Sequence, residues 1–482
     1  MRAVPRLAPL LLWPVALIAQ QTAGPHSPAS VIAEAPPALR PEWQGRSQPE
    51  FPILVAPAPP AAPNSALARR SVVIRAVLGM SILLALAYLG GHRRVLAFER
   101  RLGILHLVTA GFPFFILGAV ASSPEVSILS LSVLYELRPL LALGLGWIGF
   151  TVGFRFDTRL VESLGPGVAS ISMATAAAPF GVIVAGCALI LAFTDQSPAN
   201  AAFLRDAFIL GTAGAMAARS APYAFREWGV DPRWVSRVNN VVQLEQLAGV
   251  LGLMLLAAYF RPSAVMVSWQ LPGTAWLFLT LGIGTTMGGL IYATLGKIRP
   301  GPEFTLLMLG SISFTAGIAG FLRLSPLVVC FIAGAILVNL PGGSKQHVRD
   351  ALERLERPVY LLFLLVAGSL WDGRSWQGWA LMVLFVAARL AGKWLAIRIS
   401  RTRVLPQLVP YERQTLIFAP VGALAIAIVV SAQDLYFGPT IPWIVTAVIG
   451  GAIVTEILVQ FATRRKIAGD HAKGEAAAGI LP

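Results

Sequence analysis

Four ionisable side chains, Glu245, Arg389, Lys393 and Glu456, interrupt long apolar runs of this 482-residue sequence. A charge at the centre of a membrane helix costs about 2.5–3.5 kcal/mol on insertion scales, so such residues persist where they are used or paired. Glu245 lies about ten residues into its run, hence roughly 15 Å deep at 1.5 Å per residue. Gln243 and Gln246 stand beside it, and Asn239 and Asn240 precede it. A desolvated carboxylate among amides can bind a dehydrated cation or take up a proton. The competing reading is an ion-paired anchor between helices. Arg389 and Lys393 are four apart and share one helical face. Pairing with Glu245 is the simplest way to offset their charge, with snorkelling to the lipid headgroups the alternative for Lys393. Glu456 reads as a contact inside the bundle.

The elements that must position these groups are membrane helices. The sequence is 56% hydrophobic and only 13% charged. About thirteen runs have the length of a bilayer span, which needs roughly 20 apolar residues. They fall near 72–91, 103–121, 137–154, 167–193, 201–221, 236–260, 274–296, 303–321, 324–341, 357–371, 378–398, 412–433 and 441–463. Lipid offers no partner to backbone N–H and C=O groups, so each run is expected to close on itself as an α-helix. The fold class is therefore all-α and polytopic, one transmembrane domain over 71–464.

The loops orient it. Arginines and lysines crowd alternate loops, as at Arg93–Arg94, Arg155 and Arg159, Arg226 and Arg233, Lys345–Arg357, and Arg464–Lys466. The opposite loops carry little beyond Arg138, Arg205, Arg261, Arg323 and Arg374. Basic loops face the cytoplasm, so the N-terminus is expected outside and the C-terminus inside. The net charge of +15 thus serves topology and implies no nucleic acid. Residues 1–21 read as a signal peptide, with Arg2 and Arg6 before a short apolar stretch, in preference to an extra membrane helix. Residues 22–70, rich in Pro and Ala, read as a disordered extracytoplasmic linker, and 465–482 as a short disordered cytoplasmic tail. Cys187 and Cys330 sit within apolar runs as packing residues, and the five histidines show no ligand spacing. Neither a metal nor a cofactor is implied, and no Ser/His/Asp grouping points to an enzyme.

Two runs carry helix breakers. One contains Gly211–Ala215 followed by Met216, Ala217, Ala218, Arg219 and, at 222, proline; the other contains Pro420-Val421-Gly422-Ala423. Pro420 must forgo one helical hydrogen bond. A truly interrupted helix would free backbone groups at mid-depth, where transporters build ion sites; a simple kink is the other reading. Gly144-Leu145-Gly146-Trp147-Ile148-Gly149 matches a dinucleotide fingerprint in letters only. It lies inside a span with no preceding strand, so close helix packing is the reading.

The chain resembles the monovalent cation:proton antiporter superfamily, the sodium/proton exchanger type. The resemblance runs over about 71–464 and rests on four segments taken in order: Gly144–Phe150 with Phe154–Asp157; Arg357-Pro358 leading into Phe363–Leu370; Arg389-Leu390-Ala391-Gly392-Lys393; and Pro420-Val421-Gly422-Ala423-Leu424-Ala425. It implies two inverted repeats, spans four to six and eleven to thirteen. Their broken helices would cross at Ala217, Ala218 and Arg219 and at Pro420 and Gly422. It further implies a homodimer in the bacterial inner membrane, exchanging Na⁺ or K⁺ for protons by alternating access, with Lys393 as the embedded basic residue. The sequence departs from the family where its ion-binding Asp is expected: Gln246 stands there, with Glu245 just before it. The ion and proton site is therefore expected at Glu245, Gln246, Lys393 and Arg389, with Glu245 facing a watery cleft where the broken helices meet. The alternative is a transport-inactive or anion-handling member of the fold.

Overall fold

The computed structural model describes Ser81 and residues 107–123, 137–158, 166–192, 201–219, 221, 232–260, 271–296, 298, 301–342, 345–371, 373–403, 416–436 and 438–478. These belong to a compact unit spanning 56–482, whereas a second unit, 1–55, lies outside them. The expected signal peptide, the linker and all of the first span except Ser81 also lie outside the described residues.

The other twelve spans appear in order as helices: α1 (Leu107–Ala121), α2 (Arg138–Gly153), α3 (Pro166–Ala192), α4 (Ala201–Ala215), α5 (Pro232–Tyr259), α6 (Gly273–Leu295), α7 (Pro302–Phe321), α8 (Pro326–Asn339), α9 (Lys345–Ser369), α10 (Trp376–Arg403), α11 (Ala423–Leu435) and α12 (Ile441–Ala478). Six of them are long and apolar enough to cross a membrane, and four shorter apolar helices accompany them. Prolines open α2, α7 and α8, where the missing N–H would have had no helical partner.

Two helices extend well past the sequence reading. α9 begins at Lys345, twelve residues before the expected span, and passes straight through Pro358. Its first turns are amphipathic rather than apolar, so a span criterion misses them. Val348, Ala351 and Leu352 are buried in a cluster with Phe304 and Met308. The tail expected to be disordered over 465–482 is instead helical to Ala478. It extends a helix already nucleated, and its Ala, Lys and Glu residues propagate a helix readily.

The helices pack as two groups. α2 lies against α7, α8 and α9, with α1 on α9 and α6 on α8. The second group is α3–α5 with α10–α12, where α3 packs on α10 and α4 on α11. Small residues set these approaches. A Cβ on Gly149 would overlap the carbonyl oxygen of Leu327, and one on Gly153 that of Phe331, so α2 and α8 touch backbone to backbone. Gly144 meets Phe363 and Gly146 meets Ala316 and Cys330. The glycine run is thus helix packing throughout. Gly149→Ala is expected to lower thermal stability in detergent by about 1–3 kcal/mol through overpacking. Gly317→Ala, where a Cβ meets nothing within 4 Å, should be neutral or gain up to about 1 kcal/mol of helix propensity. Equal behaviour of the two variants would refute this packing account.

A similar contact places the charges. At Gly392 of α10 a Cβ would overlap the backbone of Pro179 in α3. Arg389 and Lys393, on either side of that approach, are thereby carried into the bundle, where both are buried.

Candidate ion site at the crossing of two broken helices

α4 stops at Ala215, and Met216–Ala218 are not helical. On the other strand of the crossing, Leu416 and Ile417 are helical, Phe418–Gly422 are not, and α11 starts at Ala423. Both spans are interrupted rather than kinked. The two gaps meet directly: the Ala218 N–H donates to the Pro420 carbonyl at 2.7 Å. Gly422 packs against Ala218, and a Cβ there would lie 2.7 Å from the Ala218 Cα.

Backbone groups freed in lipid must find partners, and several of those at the crossing do. Arg389 Nη2 donates to the Met216 carbonyl at 2.8 Å. Gln246 Nε2 donates to the Ala217 carbonyl at 3.5 Å, a long contact. The Val421 N–H donates to Thr455 Oγ1 at 3.1 Å. Arg389 therefore sits at the C-terminal end of α4, where the helix dipole is negative and carbonyls lack helical donors. Thr455→Val would leave the Val421 N–H buried without an acceptor. The expected loss is about 1–3 kcal/mol of stability, read as a lower melting temperature than wild type or Thr455→Ser.

Glu245 and Gln246 are successive residues of α5, so their side chains diverge by about 100°. The structure uses that divergence. Glu245 Oε1 accepts from Lys393 Nζ at 2.5 Å, with both side chains only 1% exposed. Its second oxygen, Oε2, accepts no hydrogen bond. Gln246 turns the other way and helps line a cavity. The cleft expected in front of Glu245 is therefore in front of Gln246. In this conformation the carboxylate is sealed, with Lys393 on one oxygen and the other buried without a hydrogen-bond partner.

The pairing expected of both basic residues also divides. Lys393 holds Glu245, whereas Arg389 holds the broken helix, and its Nε and Nη1 make no hydrogen bond. The three charges sum to +1. Glu456 is buried in α12, at a position adjacent to Thr455.

A cavity lies at each end of α11. One, of about 80 Å³, is lined by Gln246, Arg219, Arg155, Glu356, Ala423 and Leu424 among others. The other, of about 230 Å³, is lined by Arg138, Val430, Gln433, Asp434 and Tyr436 among others. α2 runs between the same two ends, with Arg138 and Leu141 at one and Thr151 and Val152 at the other. Only Ala425–Val429, all buried, separate the cavities along α11. From Leu424 to Val430 that barrier is roughly 9 Å at the helical rise.

Sequence reasoning singled out Glu245, Gln246, Arg389, Lys393 and the five residues of the breaks, and the structure gathers Gln246, Arg389 and the breaks at one crossing, with Glu245 and Lys393 beside it. It missed Thr455, which no motif marks, and Glu356, which sits in the charged turns of α9. Arg219 stands apart from the other break residues: it reaches Glu356 Oε1 at 2.7 Å instead of contacting the crossing.

No family model matches the chain, and no curated protein matches it in sequence. Among solved structures, the sodium proton antiporter MjNhaP1 from Methanocaldococcus jannaschii, determined at pH 8, is similar in fold. The match has a TM-score of 0.59 and covers 82% of this chain and 99% of the other, at 14% sequence identity. Apolar helices, two crossed breaks and this likeness together make the chain an integral membrane protein with the inverted-repeat antiporter fold.

Proposed function

We propose that this protein is a secondary active transporter that exchanges a monovalent cation, Na⁺ or K⁺, for protons by alternating access. The observation that carries the reading is the Glu245–Lys393 pair: a sealed carboxylate with one free oxygen, held beside two interrupted helices with a cavity beyond each end. The similar solved structure is named a sodium proton antiporter, which supports the same reading.

In this mechanism the present arrangement is the cation-free one. Lys393 occupies the carboxylate and offsets its charge. A cation that reaches Glu245 competes with Lys393, and once the helices shift the Gln246 side-chain carbonyl and backbone carbonyls of the crossing complete its coordination. Departure of the cation restores the pair or admits a proton. One carboxylate carries one charge at a time, so exchange is one for one. Because Glu245 is sealed, α5 and α10 must shift against the cavity wall before either solute enters, which is the gating step alternating access requires. The N-terminus outside, the C-terminus in the cytoplasm, the bacterial inner membrane and a homodimer belong to this proposal.

The test is purified full-length protein in pH-loaded liposomes challenged with Na⁺ and K⁺ in turn. Cation-dependent proton flux is expected. No flux with either ion, or flux unchanged in Glu245→Gln, removes the reading. One observation favours the alternative of an anion-handling protein: the cavity presents the neutral Gln246 rather than Glu245, and its one carboxylate, Glu356, is already held by Arg155 and Arg219.

A further inference from the structure

The cavity in front of Gln246 has a wall whose chemistry the cation cycle does not use. Two guanidinium groups stand in it, Arg155 and Arg219, and both reach the same oxygen of Glu356, at 3.5 and 2.7 Å. One carboxylate against two guanidiniums leaves a net charge of +1. Deeper, Trp147, Thr151 and Tyr360 belong to the same wall. Each is buried, and Trp147 Nε1, Thr151 Oγ1 and Tyr360 Oη have no hydrogen-bond partner. Buried polar atoms left without partners are rare and call for an explanation. The indole nitrogen is the informative one, because it can only donate. The remaining surface is apolar, from Ile148, Val152, Ala423 and Leu424.

These features select among ligands. A monovalent cation would face two guanidiniums, a donor-only indole and a carboxylate already shared. A fully hydrated inorganic anion would forfeit its water against the apolar wall. A small amphipathic anion satisfies both halves of the cavity. Its carboxylate would take the place of Glu356 on Arg155 and Arg219, a charge-assisted and potentially bidentate contact, while its short chain would lie on Ile148, Val152 and Leu424. Size agrees: at about 10–15 Å³ per water-sized sphere, a cavity of about 80 Å³ holds roughly five to eight heavy atoms, which admits such a molecule.

We infer that this cavity is a binding site for short-chain monocarboxylates, with Arg219 and Arg155 as the anion clamp and Glu356 as its internal competitor. The inference goes beyond cation exchange and does not require it, since neither Glu245 nor Lys393 lines this cavity. It gives the anion-handling reading a ligand class.

The experiment is calorimetric titration of the full chain in lipid nanodiscs, in sodium-free buffer at fixed ionic strength. Propionate and butyrate are the probes; chloride and propylammonium are the controls. Saturable binding of the two carboxylates alone is expected. Arg219→Gln should weaken it at least tenfold, and Trp147→Phe several-fold. Glu356→Gln should strengthen it about tenfold, because it removes the competing carboxylate; a merely structural role for Glu356 would weaken or spare binding. Carboxylates binding no better than chloride, preference for propylammonium, or affinity unchanged in Arg219→Gln would each overturn the inference. Carboxylate binding without cation-driven flux would sink only the exchange reading, and the reverse result only this one.

Discussion

Glu245→Gln is expected to reduce cation-driven proton flux in liposomes to the background of empty vesicles, and to destabilise the protein as well. The two losses have different causes. Transport fails because an amide carries neither the proton nor the charge that the cation neutralises. Stability falls because Lys393 remains, 1% exposed, without its carboxylate. Removing one member of a buried pair costs about 3–5 kcal/mol, whereas replacing both by apolar groups of similar shape is often neutral. The double variant Glu245→Met/Lys393→Met should therefore recover most of the melting temperature and none of the flux. That separation is the strength of the experiment. A single variant that is stable and still transports would show that the pair is neither the exchange site nor a structural charge balance. A double variant no more stable than the single one would show that Lys393 was not the cause of the loss.

Gly422→Val should separate the two broken helices. The backbone at Gly422 has φ −98° and ψ 172°, ordinary extended values that any residue adopts. The glycine is there for room, not for conformational freedom. A Cβ would lie 2.7 Å from the Ala218 Cα, and backbone cannot step aside as a flexible side chain does. The crossing must open, which stretches the hydrogen bond from Ala218 to Pro420 and disturbs the carbonyls that Arg389 and Gln246 hold. Overpacking of this kind costs about 1–3 kcal/mol. Flux should fall to background while the protein still inserts and purifies, because the spans themselves are unchanged. Gly310→Ala, with open space at its Cβ, is the control and should match wild type. Full transport by Gly422→Val would mean that the crossing tolerates separation and does not shape the site.

Much of this architecture was legible before any coordinates. Twelve of the expected spans can be compared, and each has a described helix, because bilayer thickness imposes a length that apolar runs reveal. The helix breakers were visible in Gly211–Ala218 and Pro420–Gly422, since proline and glycine act on their own backbone, but whether each span was kinked or interrupted was not. The glycine run of α2 declared close packing for the same local reason. α9 and the C-terminal extension of α12 were misjudged because an amphipathic or merely helix-prone segment carries no span signal.

The site was half legible. Spacing along one helix showed that Arg389 and Lys393 share a face and that Glu245 and Gln246 do not. Which of the second pair would meet the cavity, and which basic residue would take the carboxylate, depends on contacts between residues far apart in sequence, 148 positions in the case of Glu245 and Lys393. The sequence by itself determined that charged groups lie at membrane depth and that two spans carry helix breakers, since burial length and proline and glycine content are local properties of the chain. Only the tertiary structure decided that Lys393 closes on Glu245, that Arg389 holds the end of α4, and that Gln246 fronts the cavity. Helix rotation and approach are set by packing against neighbours, above all at Gly392 and Gly422, and no single segment encodes its neighbour's position.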